Sequence, residues 1–217
     1  MPQPGTLVLV RHGQSEWNLR QLYTGRQNPG LTPKGIAEAR AAGRKLKQAG
    51  CRFDIAFTSQ LLRAQATLAY ILAELDQLGI QTVDTPALNE RDFGELTGMS
   101  RAQARERWGK HQLRIWSRSF DAPLPGGESL RDTANRVLPF FHDEILPHVL
   151  AGRHVLAAAH RHSLRVIIMA IEGLTESEAV DRDISTGLPL IYDLTGKGSG
   201  KPRALLADGA ESAALDG

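Results

Sequence analysis

This sequence of 217 residues contains little cysteine, no large excess of charge of either sign and no long apolar run. Cys51 is the only cysteine, so an intramolecular disulfide is excluded and a cytoplasmic location is the natural expectation. The 26 basic and 24 acidic side chains leave a net charge of +2, so no nucleic-acid partner is expected. The longest apolar stretches fall well short of the roughly 20 residues of a membrane helix, so no membrane association is expected.

Apolar residues make up 41% of the chain, which is enough for a sizeable core. Short apolar runs predict strands at residues 6–10, 53–58, 82–85, 154–159 and 188–194. Helical patterns lie between them at residues 15–19, 32–50, 61–78, 129–151 and 163–172, and residues 89–128 hold turns and polar helical patches. Strands that alternate with helices predict a three-layer α/β/α sandwich with a mostly parallel central sheet. We expect a single domain over residues 1–194 and, where the composition shifts, a flexible tail over 195–217.

Two of the predicted strands end in histidine, at His12 and at His160. Open α/β sheets bind ligands at the carboxyl ends of their strands, so these histidines are candidates for one site. A neutral imidazole is a competent nucleophile toward phosphorus, and arginine forks suit the charged phosphoryl oxygens. Arg11 and Arg63 are placed to supply such forks, and Glu90 is a candidate for proton exchange with a substrate hydroxyl. The pattern therefore favours phosphoryl transfer, although each residue alone is more often structural.

A metal site is the alternative at one of these strand ends. His160 and His162 are two residues apart, and on a strand they would share a face. No cysteine or third ligand is evident nearby, and the phosphoryl-transfer hypothesis gives His160 a better role. We therefore expect no metal.

The segment from Leu9 to Asn18, which reads LVRHGQSEWN, resembles the motif of the histidine phosphatase superfamily in its phosphoglycerate mutase form. The Arg-His-Gly core alone is modestly specific, but the Ser-Glu-Trp-Asn that follows makes chance a poor explanation. Further matches recur in the expected order over about residues 6 to 194. They include Tyr23-Thr24-Gly25, Leu31-Thr32-Pro33-Lys34-Gly35, Thr58 to Ala64, Leu88 to Arg91, Gly126 to Leu130, Ala158-Ala159-His160, Ser163-Leu164-Arg165 and Thr186 to Pro189. The chain is similar to the shorter bacterial form.

The resemblance implies a role for each matching residue. His12 would carry the phosphoryl group and Glu90 would be the proton donor and acceptor. The groups holding the phosphoryl group would be Arg11, Arg63 and His160. The pocket would be lined by Asn18, Thr24 and Gly25, and the acidic substrate would be faced by Arg91, Arg101 and Arg118. The resemblance also implies 2,3-bisphosphoglycerate as the cofactor that primes His12, a small phosphorylated acid as substrate, no metal, and a homo-oligomer (dimer or tetramer).

The sequence departs from the family pattern at substrate-binding positions. Phe93 stands where the family usually has tyrosine, Arg101 where it has lysine, and Ser117 replaces the first of two paired arginines. The usual Gly-Asn after the second histidine is Arg161-His162, and the usual Gly-Trp in the early loop is Gly25-Arg26. These changes fall on the substrate shell, whereas the residues implied for phosphoryl transfer are retained.

Three functions are compatible with this pattern. The first is a mutase that interconverts 2- and 3-phosphoglycerate. The second is a phosphatase of the same superfamily, in which water takes the phosphoryl group from His12. The third is a non-catalytic module that senses phosphate, but the retention of His12, Arg63, Glu90 and His160 argues against it.

Overall fold

The computed structural model describes residues 5–194 and 198–203. The strands are β1 (Thr6–Arg11), β2 (Ile55–Ser59), β3 (Gln81–Thr85), β4 (Val155–Ala159), β5 (Pro189–Asp193) and β6 (Pro202–Arg203). The α-helices are α1 (Glu16–Leu19), α2 (Pro33–Gln48), α3 (Leu62–Glu74), α4 (Arg101–Arg118), α5 (Leu130–Phe140), α6 (Leu146–Leu150), α7 (Arg161–Glu172) and α8 (Glu176–Asp181). A π-helical turn (Phe141–Ile145) joins α5 to α6, and 3-10 turns span Pro86–Leu88 and Gly94–Leu96.

The strands form one sheet in the order β3-β2-β4-β1-β5-β6. The first four of these run parallel, whereas β5 is antiparallel to β1 and β6 is antiparallel to β5. The prediction of a mostly parallel sheet within an α/β/α sandwich is confirmed. Because β1 and β4 are parallel neighbours, their carboxyl ends lie side by side.

Strand β1 shows how the sequence builds a core on both faces of the sheet. Alternate side chains of a strand point to opposite faces. Leu7 and Leu9 pack in a cluster with apolar residues of α5, α6 and α7, and Val8 and Val10 pack in a second cluster with α2 and α3. All four side chains are fully buried, which is typical of parallel strands covered by helices on both sides.

The helices begin at cap residues that the sequence predicts. Thr32 accepts a hydrogen bond from the Gly35 N–H at 3.0 Å, with Pro33 in the first helical position of α2. Ser15 and Ser129 form capping boxes at the starts of α1 and α5. These caps fix where the loops after the strands end and the helices start.

Several predicted boundaries are wrong, each for a local reason. Helix α3 ends at Glu74 rather than Leu78, because Asp76 takes a positive φ of 56° and the Gln77 side chain hydrogen-bonds the Phe53 backbone. Helix α7 begins at Arg161 rather than near Ser163. Residues 101–118 form one helical segment, α4, which is broken at Gly109 with φ 76°.

The segment predicted as a tail begins before the last strand. Residues 198–203 include β6, and the Gly200 N–H donates to the Ile171 carbonyl at 3.1 Å. Residues 195–197 and 204–217 lie outside the described residues, and the predicted flexibility over 195–217 stays a prediction there. None of the described helices is long and apolar enough to cross a membrane.

Candidate active site

The carboxyl ends of β1, β2 and β4 bring the two strand-end histidines together. The His12 N–H donates to the Ala159 carbonyl at 3.0 Å, and the centroids of the His12 and His160 rings are 5.0 Å apart. Both rings are buried. Ser59, at the end of β2, hydrogen-bonds His160 Nε2 through its Oγ at 2.7 Å. The register of β1 and β4 thus brings the two backbones side by side, and Ser59 helps to hold the His160 ring.

The tautomer of His12 follows from its neighbours. Nδ1 lies 2.7 Å from the Gly13 carbonyl, which can only accept, so Nδ1 carries the proton. Nε2 is then left with its lone pair and accepts a hydrogen bond from Arg63 Nε at 3.3 Å. Burial, followed by the charges of Arg63 and Arg11, lowers the pKa of His12 to about 3. At neutral pH the imidazole is thus an uncharged base with Nε2 as its nucleophilic atom.

A close backbone contact positions the turn after His12. The Gly13 N–H donates to Thr67 Oγ1 at 3.0 Å. A Cβ on Gly13 would lie 2.2 Å from the Gly35 carbonyl oxygen, so a larger residue there would push α2 away from the site. The first residues after β1 can therefore hold the His12 ring only because glycines meet at this point.

Arg63 connects the nucleophile to the early loop. Its other two nitrogens donate to the Gln27 carbonyl at 2.7 Å and to the Gly25 carbonyl at 2.9 Å. Gly25 has φ 52°, and a Cβ there would lie 3.1 Å from the Phe93 nitrogen. Burial lowers the pKa of Arg63 to about 10, which leaves the guanidinium charged at neutral pH. The cation lies directly against the nitrogen that would receive a phosphoryl group.

Glu90 faces the start of α7. Its Oε1 accepts the Arg91 N–H at 2.8 Å, and the His162 N–H and His162 Nδ1 each lie 3.1 Å away. Burial alone would raise the pKa of this carboxyl, but His162 and the donated hydrogen bonds outweigh it and hold the pKa well below its usual range. Arg136 fixes the loop from outside by donating to the Glu90 carbonyl at 3.1 Å. The carboxylate is therefore ionised and held in place.

Unpartnered nitrogens collect at the same edge of the sheet. The described residues contain four buried side-chain nitrogens without a hydrogen-bond partner, and three belong to predicted site residues: Arg11 Nε, His160 Nδ1 and Arg161 Nε. A buried donor without a partner is costly, so such groups are expected where a ligand completes them. Together with the Arg63 cation they fit a phosphoryl group. Arg11 donates through another nitrogen to the Ile184 carbonyl at 2.8 Å.

The structure corrects the idea that His160 and His162 share a strand face. His160 is the N-cap of α7, and His162 is the second residue of that helix. The helix starts early because the Ser163 hydroxyl accepts the His160 N–H at 3.2 Å and closes a capping box. In residues 5–194 and 198–203, no group of three or more acidic, histidine or cysteine side chains is arranged to hold a metal ion.

Three predicted pocket residues lie in the early loop and beside it. The Asn18 side chain closes the cap of α1 by accepting from the Ser15 N–H at 3.1 Å. Thr24 is buried and precedes Gly25, whose carbonyl holds Arg63. The Phe93 ring packs against Tyr23 and, edge to face, against His162 at 5.6 Å between ring centroids. Contact of any of them with substrate stays a prediction.

The predicted substrate-facing residues are not gathered at the histidines. Arg91 is buried, and its guanidinium donates to the carbonyls of Glu128, Trp116 and Ala122 at 2.7, 3.3 and 3.4 Å. The other three lie on α4. Arg101 borders an open surface groove with Gln21 and Arg105, Ser117 bonds within its own helix, and Arg118 forms an exposed ion pair with Asp181.

Arg161 occupies the first position of α7, next to the second histidine. It pairs with Asp183 at 3.1 Å, and about a third of its side chain is exposed. Its charge acts on Arg11, whose pKa is lowered to about 10 chiefly by burial and then by Arg161. The substitution for glycine thus adds a cation beside the phosphoryl-binding edge.

Sequence reasoning missed two parts of the site. Ser59 hydrogen-bonds His160, but the sequence predicted no role for it, because a serine at the end of a strand gives no specific signal. Arg136 and Glu128 form a partly buried hydrogen-bonded pair at 2.9 Å that supports the loop carrying Glu90. Only the three-dimensional structure brings residue 136 against residue 90.

A neutral, buried histidine whose unprotonated nitrogen meets an arginine, together with a second histidine and an ionised carboxylate, is the arrangement expected of a phosphoryl-transfer site of the phosphohistidine type. Comparisons with known proteins agree with this class. The sequence profile of the histidine phosphatase superfamily (branch 1) matches residues 7–199. A 2,3-bisphosphoglycerate-dependent phosphoglycerate mutase of Brucella melitensis biotype 2 is 57% identical over 189 residues, covering 87% of this chain and 92% of that protein. The corresponding mutase of Brucella abortus biovar 1 is 56% identical over the same lengths.

Solved structures with the same fold include phosphatases. An α-ribazole phosphatase from Shigella flexneri superposes with a TM-score of 0.78 at 25% identity, covering 95% of this chain and all of that one. A mycobacterial glucosyl-3-phosphoglycerate phosphatase superposes with a TM-score of 0.74 at 23% identity, covering 87% and 92%. The chain belongs to the histidine phosphatase superfamily, branch 1, and within it to the family of the 2,3-bisphosphoglycerate-dependent phosphoglycerate mutases.

Proposed function

We propose that the protein interconverts 2-phosphoglycerate and 3-phosphoglycerate through a phosphohistidine at His12. The observation that carries the proposal is the pairing of Arg63 Nε with His12 Nε2 at 3.3 Å, beside the buried Glu90 carboxylate. The 57% identity to a mutase over most of both chains supports the mutase over other members of the superfamily.

The residues of the site divide the chemistry between them. His12 Nε2 attacks phosphorus, and the bond between phosphorus and the substrate oxygen breaks. Glu90 returns a proton to that oxygen, or removes one when the substrate hydroxyl is the acceptor. Arg11, Arg63 and His160 hold the phosphoryl oxygens and stabilise the negative charge that these oxygens carry in the transition state. 2,3-Bisphosphoglycerate would supply the phosphoryl group that primes His12.

The charge of Glu90 depends on whether a substrate phosphate is bound. In the free protein its low pKa keeps it a carboxylate, which is the form that removes a proton from a hydroxyl. A bound phosphoryl dianion adds negative charge next to it, and like charges raise the pKa of a carboxyl group. The acid form needed for proton donation is therefore favoured when the substrate phosphate is present.

A phosphatase is the second candidate, and the altered substrate shell is the observation that favours it. Ser117 lacks the cation that the family usually has, and Arg161 adds one elsewhere. Either change alters how the second anionic group of a substrate is held. The phosphatases with the same fold show that the architecture supports hydrolysis.

A coupled assay separates the two functions. Conversion of 3-phosphoglycerate is followed with and without 2,3-bisphosphoglycerate, and free phosphate is measured in the same samples. We expect conversion that depends on the bisphosphate, with little phosphate released. Phosphate release without isomerisation would replace the mutase by the phosphatase, and the His12→Ala variant is the control for contaminating activity.

The family also supports a small homo-oligomer in the cytoplasm. Size-exclusion chromatography with light scattering would give the mass in solution, for which we expect a dimer or a tetramer of the 23.7 kDa chain. A monomeric mass at micromolar concentration would contradict this proposal.

A further inference from the structure

The Glu90 carboxylate is held by one oxygen only. Oε1 accepts the Arg91 N–H and lies 3.1 Å from both the backbone N–H and the Nδ1 of His162. Oε2 makes no hydrogen bond to any other residue that the structure describes. The two oxygens therefore have different tasks: Oε1 anchors the group, and Oε2 is the atom left to exchange a proton.

His162 is built to be a donor to this carboxylate. An ionised carboxylate can only accept, so Nδ1 at 3.1 Å must carry the hydrogen. Burial lowers the pKa of His162 to about 4 despite the raising effect of Glu90, so the ring is neutral and Nε2 is unprotonated at pH 7. The Phe93 ring meets it edge to face, and the helical position of residue 162 fixes its backbone. The imidazole is thus locked in one tautomer.

We infer that His162 is a positioning residue that holds Glu90 through Oε1 and thereby aims Oε2 at the oxygen that gains or loses the proton. The inference rests on the proposed function. In the step it serves, the lone pair of His12 Nε2 forms a bond to phosphorus while the bond from phosphorus to the substrate oxygen breaks. The electron pair stays on that oxygen, which takes the proton from Oε2 of the acid form of Glu90; the carboxylate takes up this proton from solvent when the bound phosphate raises its pKa. The reverse transfer returns the proton to Oε2.

Other groups also act on Glu90, and they set the background for any change at His162. Besides His162, the charged and titratable side chains that act on the carboxylate are Arg11, His12, Arg63, Arg91, His160 and Arg165. Of all these, only His162 hydrogen-bonds the carboxylate through its side chain. A substitution at this position therefore removes one directed bond and leaves the cations in place.

Side-chain length provides a matched pair of variants. The amide nitrogen of asparagine is attached to Cγ, as Nδ1 of histidine is, so His162→Asn can keep the donor to Oε1. The amide of glutamine reaches the place of Nε2, so His162→Gln keeps a polar side chain of similar size but removes the donor. Asparagine is also the residue that the family usually has at this position. His162→Ala removes the side chain altogether.

We expect His162→Asn to keep kcat within about 3-fold, and His162→Gln and His162→Ala to lose roughly 10- to 100-fold in kcat, as expected for one hydrogen bond to a charged group. KM should stay within about 3-fold, because the phosphoryl-binding groups are untouched. Loss of the donor raises the pKa of Glu90, so the limb of the pH–rate profile that Glu90 controls should move up by about one unit in His162→Gln and His162→Ala. In His162→Asn the limb should stay in place.

A readout without turnover separates this inference from the proposed function. Carbon-13 NMR of protein labelled at the glutamate carboxyl carbons follows Glu90 directly, and Glu90→Gln assigns its resonance. The Glu90 titration should move to higher pH in His162→Gln and not in His162→Asn. If the wild type fails to interconvert phosphoglycerates, the proposed function fails, yet this titration still tests the contact.

Two results would overturn the inference. One is an unchanged kcat and an unchanged Glu90 titration in His162→Gln, which would leave the hydrogen bond without a positioning role. The other is a loss in His162→Asn as large as that in His162→Gln, which would mean that the imidazole itself is needed. Thermal melts of all three variants check that they are folded, and the Asn and Gln pair decides the outcome if the Ala variant is unstable.

Discussion

The inner site and the α4 wall are built on different principles. The inner site (Arg11, His12, Arg63, Glu90 and His160) lies at the ends of buried strands and beside loops that hydrogen bonds hold in place. The α4 wall (residues 101–118) is one polar helical segment, broken at Gly109, with most of its side chains exposed. Sheet register fixes the distances in the first, whereas side-chain conformation decides the contacts of the second. The two regions therefore differ in how firmly their side chains are held in place.

The largest effect is expected inside the inner site. His12→Ala removes the nucleophile that we propose, so turnover should fall by about 10⁴-fold or more. Transfer of labelled phosphoryl groups to the protein, measured after a rapid quench, should vanish as well. Retention of more than a trace of either signal would place the nucleophile elsewhere and end the contrast between the two regions.

Acid stability is the next largest effect, and it also belongs to the inner site. Burial, together with nearby arginines, lowers the pKa of His12 to about 3 and that of His160 well below its usual value, and burial lowers the pKa of His162 to about 4. The unfolded chain has histidines near pH 6.5, so it binds more protons than the folded chain below that pH. Stability should therefore fall as the pH drops below 6.5.

The size of this loss follows from the number of groups. Each histidine contributes roughly 1.4 kcal/mol between pH 7.5 and 5.5, or about 4 kcal/mol for three. Urea unfolding at the two pH values measures it, and His162→Asn should remove about a third of the difference. Equal stability at both pH values would contradict the buried, neutral state of these rings.

Arg91 lies between the two regions and can sharpen the comparison. Its guanidinium donates to the Trp116 carbonyl near the end of α4 and to the Ala122 and Glu128 carbonyls after it, so Arg91→Ala leaves three acceptors without this donor. We expect a loss of about 2 kcal/mol in the free energy of unfolding. Arg91→Lys, which keeps the charge but not the fork, should recover little of it. Unchanged stability with a KM raised more than tenfold would instead assign Arg91 to the substrate.

The smallest effect is expected on the α4 wall. Arg118 forms an exposed pair with Asp181, and exposed pairs stabilise proteins little. Arg118→Ala should change the free energy of unfolding by less than about 0.5 kcal/mol. We expect KM to rise by no more than about 3-fold. The matched control is Arg107→Ala, which removes another exposed ion pair of α4. A tenfold rise for Arg118→Ala alone would show that α4 closes on bound substrate.

The parts that sequence reasoning predicted are those with local or periodic signals. A short, continuous apolar run predicted the strand at Thr6–Arg11, and Thr32 with Pro33 predicted the start of α2. The motif around His12 and the strand-end position of His160 led to the centre of the site. The start of α7 was missed because Ser163 caps His160 from within the expected helix, and α8 was missed because its pattern spans only six residues.

Local and periodic signals of this kind did not predict contacts between distant segments. Arg91 was expected to face substrate, but which carbonyls it meets depends on how residues 116–128 fold back over it. The donor role of His162 depends on a helix starting at Arg161, since on a strand the same residue would have pointed elsewhere. Long-range side-chain partners of this kind require the whole fold.

The bond from Arg63 to His12 bears on how little the site must rearrange. The guanidinium already sits against Nε2 in the free protein, held there by two loop carbonyls. When phosphorus bonds to His12 Nε2, the Arg63 Nε–H loses that nitrogen as its acceptor. A phosphoryl oxygen then comes within reach of the same Arg63 hydrogen. The Arg63 N–H group is therefore oriented before the reaction begins. The reorganisation energy that the same transfer would require in bulk water is largely avoided.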